Sequence, residues 1–258
     1  MTDTLLLEKQ GHTAIITMNN PPANTWTEES LKGLISLVNE LNEDRNIFSL
    51  VLKSDSDKFF SAGADLNMFA DGDRATARDM GRYFGEAFEA LSNFRGVSIA
   101  AVNGFAMGGG LEVALACDIR VAEEQAQLAL PEAKVGLLPC AGGTQNLTML
   151  VGEGWAKRMI LLGERVNATK AKEIGLVEEL VATGESFNRA MELAKQADQQ
   201  SPMSIASCKL LIQNNRKHHW NAGYMLEREL FVDLFHSEDQ KEGVNAFLEK
   251  RKPNWKNC

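Results

Sequence analysis

The pattern of apolar and polar positions changes period several times along the chain. "TLLLEKQGHTAIITM" predicts two strands joined at Gln10-Gly11-His12. Pro21-Pro22 in "NNPPAN" then interrupts regular structure. In "TEESLKGLISLVNELNED", Leu31, Leu34, Ile35, Val38 and Leu41 fall at helical spacing. Thr27 is placed to cap this helix, with Glu28 and Glu29 in its first turn. "IFSLVLKSD" reads as a strand, "FFSAGADLNMF" as a turn of small residues, "ATARDMGRYFGEAFEALSNF" as a helix and "VSIAAV" as a short buried strand. Short strands follow near "DIRVA" and "AQLAL", and the chain is mostly helical from Gly143. "NATKAKEIGLVEELV" reads as a short helix, a glycine break and a strand, and the pattern is wholly helical from about Ser186 to near Lys250. No sequence repeat of regular period stands out. Alternating strands and helices followed by helices alone imply an α/β core with a helical C-terminal region.

Composition narrows the classes. A chain of 258 residues, 44% of them hydrophobic, can bury a sizeable core. Its formal net charge of -8 disfavours nucleic acid and anionic membrane as partners. There is no apolar run approaching the roughly 18 residues of a membrane span. The start, "MTDTLLLEKQGH", has neither a basic segment leading into an apolar one nor an Arg-rich transit pattern. The four cysteines, Cys117, Cys140, Cys208 and Cys258, are scattered and fit a reducing compartment. A cytoplasmic location is expected. Neither the cysteines nor the four histidines form a zinc pattern.

The chemistry concentrates in "AVNGFAMGGGLEVALACD". A glycine run between strand and helix is most often only a tight turn. No Lys-Ser/Thr follows, so this is not a phosphate loop, and GxGxxG is absent. Glycines opening a helix do leave N–H groups accessible to an anion or a developing oxyanion. Glu112 is the one acid in an otherwise apolar helix, so either a buried base pairs with it or it works on protons. A second glycine-rich segment, "LPEAKVGLLPCAGGTQ", carries Glu132 20 residues on. "FFSAGADL" offers a further backbone donor at Ala64, facing the glycine run. Two acids flanking backbone donors suit proton transfer on opposite sides of a substrate carbon.

Five segments in order, "FSAGADL", "AVNGFAMGGGLEVALACD", "LALPEAKVGLLPCAGGTQNL", "AKEIGLVEELV" and "KEGVNAFLEKRKPNW", resemble the crotonase superfamily. With both acids present, the resemblance is nearest to enoyl-CoA hydratases. It implies an α/β spiral of repeated β-β-α units over residues 1–197, and a helical region over 198–258 that builds a homotrimer or a hexamer. It implies an acyl-CoA thioester as substrate, with the thioester oxygen between the N–H groups of Ala64 and Gly109. Glu112 would activate water for attack on Cβ, and Glu132 would supply the proton to Cα. Ala62, Asp65, Leu66, Cys140, Phe247 and Lys250 would complete the substrate and CoA contacts, and no metal or redox cofactor is implied. Two positions depart from the pattern. Asn67 stands where hydratases often carry a lysine, and Cys140 where a glycine is common. The acyl chain is expected near Met68, Phe69, Met80, Leu137 and Leu138. Alternatives within the superfamily are an enoyl-CoA isomerase, a hydratase of a specialised acyl-CoA, and a non-catalytic RNA-binding member.

Overall fold

The computed structural model describes residues 4–200, 202, 205–210, 212–213, 228, 231–232, 234–236 and 238–251. Strands β1 (Leu5–Gln10) and β2 (Thr13–Met18) form an antiparallel hairpin across Gly11. After the short strand β3 (Thr25–Trp26) comes α1 (Glu28–Glu43). Thr27 caps it: its Oγ1 accepts from Ser30 N–H at 3.2 Å, and Ser30 Oγ accepts from Thr27 N–H at 2.8 Å. Of the predicted apolar stripe, Leu31, Leu34, Val38 and Leu41 are fully buried and Ile35 is half-buried.

From there the chain winds in a spiral. Each turn lays one strand in a large sheet, one in a small sheet, and returns through a helix. The first turn is β4 (Ser49–Ser54), β5 (Phe59–Ser61), β6 (Gly63–Ala64) and α2 (Arg74–Ser92). The second is β7 (Val97–Val102), β8 (Phe105–Met107) and α3 (Gly109–Ala116). The third is β9 (Ile119–Glu123), β10 (Gln127–Ala129) and α4 (Gly143–Leu161). Then come β11 (Val166–Asn167), α5 (Ala168–Glu173), β12 (Glu179–Val181) and α6 (Ser186–Ala197). The large sheet has the order β1-β2-β4-β7-β9-β12 and the small one β11-β10-β8-β5. Beyond the hairpin the large sheet is parallel throughout. This is the expected spiral of β-β-α units. It escapes a search for sequence repeats because the returning helices differ so much in length, α2 having 19 residues and α3 having 8.

Parallel strands covered on both faces read as continuous apolar runs, which is why "SLVL" and "SIAAV" carry little alternation. One face of the large sheet joins the main core. Val51, Ile99, Ala101 and Val121 on the other face are covered by Ala190 and Ala194 of α6.

Two expectations change. "FFSAGADLNMF" is not one turn but β5, β6 and a 3₁₀ turn, Leu66–Phe69. Strands this short carry no readable period; β6 exists because β3 lies beside it, with Asp65 N–H donating to the Trp26 carbonyl at 3.2 Å. The helical reading after Ser186 is broken at residues 198–200, which form a turn and bend, and again by a 3₁₀ turn at Leu234–His236. The rest of that stretch falls partly outside the described residues. A C-terminal helix, Glu238–Leu248, closes the described chain and packs on the core.

Candidate active site

The glycine run solves a packing problem as well as a chemical one. Gly108 precedes α3 at φ 53°, ψ -126°. At Gly110 a Cβ would come to 2.1 Å from the Ser61 carbonyl oxygen, so only a bare backbone lets α3 lie against β5. Gly63, at φ +90°, meets the other side: a Cβ there would be 2.6 Å from the Met107 carbonyl oxygen and 3.0 Å from Gly109 N. A Cβ on Gly109 would in turn stand 3.7 Å from Ala64 N. The start of α3 and strand β6 therefore touch backbone to backbone. Ala64 and Gly109, the two expected donors, both line one cavity of about 280 Å³. Gly109 is the first helical residue, and its N–H has no carbonyl one turn back to meet.

Glu112 stands in the first turn of α3 and is 3% exposed. Its Oε1 accepts from Ala141 N–H at 2.8 Å and from Gly143 N–H at 2.9 Å. Gly143 opens α4, so the carboxylate also sits at the positive end of that helix. At the other end of α3, Arg120, 2% exposed, donates to the Ala114, Cys117 and Leu176 carbonyls and pairs with Glu178. It thus caps the far end of α3.

Glu132 begins the 3₁₀ turn Glu132–Val135, which Gly136 ends in the left-handed region at φ 73°. Both its carboxylate oxygens are shielded from solvent. Oε1 faces Gly108, where a Cβ would be 3.2 Å away. The second acid thus stands one residue from the Gly109 donor, and both acids line the same cavity. Leu66, Phe69, Phe84, Val135, Leu137, Leu138 and Phe231 give it apolar walls. Phe69 meets Phe231 and Phe235 edge-on, with ring centroids 5.5 and 5.8 Å apart.

Of the residues expected in the site, Ala64, Leu66, Gly109, Glu112, Glu132, Cys140 and Phe247 line this cavity together. Ala62, Asp65 and Lys250 do not. Ala62 N–H donates to the Ala23 carbonyl, and Asp65 caps the next turn by accepting from Asn67 N–H at 3.1 Å and Asn67 Nδ2 at 2.8 Å. Lys250 is exposed in the left-handed region, φ 55°, where it ends the C-terminal helix. Its neighbour Arg251 lines the cavity instead, held by Glu242 and Glu249. Cys140 has no positive φ, so the backbone there does not call for glycine. Phe69, Leu137 and Leu138 are in the wall as expected for an acyl pocket, whereas Met80 is core and Met68 packs against the core. Phe84, Phe231 and Arg251 were not anticipated. Phe84 sits in "GRYFGEAF", a glycine-flanked aromatic on one helix face, which was the available signal.

Among the described residues there is no cluster of three or more His, Cys, Asp or Glu that could hold a metal. No described helix is long and apolar enough to cross a membrane.

The sequence profile of the enoyl-CoA hydratase/isomerase family matches residues 8–258. The chain belongs to this family. It is 36% identical to the short-chain-enoyl-CoA hydratase of Clostridium acetobutylicum, over 97% of this chain and 96% of that one. It is 37% identical to the 2,3-dehydroadipyl-CoA hydratase of Escherichia coli K12, over 98% of each. Among solved structures it resembles DspI of Pseudomonas aeruginosa, with 64% identity, a TM-score of 0.83, and coverage of 99% of this chain and 97% of that one.

Proposed function

We propose that this family member is an enoyl-CoA hydratase, adding water across the 2,3 double bond of a 2-enoyl-CoA to give the 3-hydroxyacyl-CoA in acyl-CoA metabolism. One observation carries the reading: two acids whose carboxylates are shielded from solvent and two backbone donors line a single, mostly apolar cavity. The thioester oxygen takes hydrogen bonds from Ala64 and Gly109 N–H, which strengthen as the double-bond electrons move toward that oxygen. Glu112 accepts a proton from water as its oxygen bonds to Cβ. Glu132 then supplies a proton to Cα, and the enolate collapses to the thioester. The addition is redox-neutral, so the scheme calls on no oxidant or reductant.

The cavity also points to a kind of acyl group. Most of the wall beyond the acids is aromatic and aliphatic and suits an uncharged chain; Lys134 and Arg251 also line the cavity, and a carboxylate-tipped chain such as dehydroadipyl would have to reach one of them. The test is the loss of conjugated-thioester absorbance over a panel of 2-enoyl-CoAs. Hydration of uncharged chains with weak turnover of the dehydroadipyl ester supports the reading. Double-bond migration without hydration would make the protein an isomerase instead.

A trimer or hexamer is the assembly we assign, on the resemblance and on the exposed Leu210 and Ile212 of the helical region; light scattering checks it. A cytoplasmic location follows from the scattered cysteines and is checked by fractionation. With a net charge of -8, RNA binding is the lesser reading, and a salt-dependent RNA shift would be needed to revive it.

A further inference from the structure

The C-terminal helix touches both turns that carry site groups. Gly243 faces the turn that bears Glu132. A Cβ on Gly243 would come to 2.4 Å from the Val135 carbonyl carbon, 2.5 Å from its oxygen and 2.8 Å from Gly136 N. Contacts that short with backbone cannot be relieved by a side-chain rotation, so helix or turn would have to move. One turn earlier, Gln240 is 1% exposed and donates from Nε2 to the Phe69 carbonyl at 3.2 Å, tying the same helix to the turn after Ala64. The Glu132 turn is short. Its bonds run from Lys134 N–H to Pro131, from Gly136 N–H to Ala133, and from Leu137 N–H to Glu132. These backbone bonds all lie within a few residues and set its shape. Its place comes from the surface it leans on, and Gly243 is part of that surface and of the cavity wall.

We propose that Gly243 is a positioning residue: the bare backbone of the C-terminal helix at Gly243 seats the Val135–Gly136 backbone and so fixes where Glu132 delivers its proton. The proposal rests on the reading of Glu132 as the acid that protonates Cα. It makes the C-terminal helix a working part of the site in the same chain.

The experiment is a kinetic cycle on the full chain with a 2-enoyl-CoA that the wild type hydrates. Gly243→Ala should lower kcat by about 10–100-fold, the scale of an ångström-sized misplacement, with KM within about threefold. Glu132→Gln should be severely impaired. Adding Gly243→Ala to it should change the residual rate by less than about twofold, because a residue that acts through Glu132 has nothing left to position. Gly154→Ala is the control, a glycine in α4 with nothing within 4 Å of its would-be Cβ, and should keep wild-type rates. If Gly243→Ala does not fold, Gln240→Ala, which adds no atoms, goes through the same cycle and should also lower kcat selectively. A rise in KM with kcat intact would overturn the proposal, as would an equal loss in the Glu132→Gln background. Wild-type activity in Glu132→Gln alone would instead remove the reading of Glu132 itself, and is seen without reference to Gly243.

Discussion

Replacing Glu112 should separate holding the loop from moving the proton. Its Oε1 accepts two buried backbone N–H groups, Ala141 at 2.8 Å and Gly143 at 2.9 Å. In Glu112→Ala both donors lose that acceptor inside the protein. Each unsatisfied buried donor costs about 1–3 kcal/mol, so the expected destabilisation is about 2–6 kcal/mol. For a chain of this size about 2–4 °C of Tm accompanies each kcal/mol, giving a drop of about 4–24 °C. Glu112→Gln keeps an amide oxygen that can accept the same two bonds. It loses the charge that strengthens them, and it no longer buries a carboxylate. These opposing effects should leave it within roughly 1–2 kcal/mol of wild type. Both variants should lose at least ~10²-fold in hydration rate, since neither can take a proton from water. Calorimetry gives the Tm values, and absorbance loss of the conjugated thioester gives the rates. Equal Tm values for Glu112→Ala and Glu112→Gln would refute the structural half of this reasoning. Wild-type hydration by Glu112→Gln would refute the chemical half.

Gly63→Ala puts a side chain at φ +90° and 2.6 Å from the Met107 carbonyl oxygen, which should part Ala64 from Gly109. Losing one oxyanion donor lowers kcat by about 10²–10³-fold, and unchanged kcat in a folded variant would rule out this donor pair. Arg120→Ala takes the guanidinium from the Cys117 and Leu176 carbonyls at the end of α3, while Ala114 keeps the Cys117 N–H, and should cost at least about 2 kcal/mol by denaturant unfolding, with a loss below about 1 kcal/mol contradicting the capping role. Burial pushes the Cys117 thiol up to about 12, so near pH 8 it stays protonated and unreactive while exposed Cys208 is open to alkylation. Mass spectrometry of the labelled native protein should find Cys208 modified before Cys117, and early modification of Cys117 would show that its cover opens readily.

Much of this could be read from the residues, for reasons that differ by segment. Helix α1 was legible because Thr27 and a five-residue apolar stripe agree on start, period and face. The buried parallel strands β4 and β7 were legible as dense apolar runs. The four central site groups stood out because glycine runs and isolated acids are costly in a core unless something uses them. The short strands β3, β5, β6 and β8 were not legible, since pairing over two or three residues is decided by what lies alongside. That Arg251 reaches the cavity wall, and Lys250, expected at the nucleotide end of CoA, does not, follows from a left-handed residue at the helix end, where a lysine gives no local hint. Phe84 and Phe231 look like ordinary core aromatics until α2 and the C-terminal segment meet. The partner of Glu112 was hidden for a similar reason. Two backbone N–H groups 29 and 31 residues away have no side-chain signature.

The order of strands in the large sheet, β1-β2-β4-β7-β9-β12, is also their order in the chain. A nascent polypeptide leaving the ribosome can therefore be wound turn by turn, each new strand finding the previous one already in place as its template. No strand of this sheet has to be inserted between two earlier neighbours, which spares the search that makes many parallel folds slow. The acids and backbone donors are laid down during this winding, with Ala64 in the first turn, Gly109 and Glu112 in the second and Glu132 in the third. The cavity wall supplied by Gly243 and Phe247 is synthesised afterwards. A ribosome stalled before residue 238 would hold a chain with its sheet and both acids but an unroofed cavity, so catalytic competence would arrive abruptly, once Gly243 and Phe247 are made.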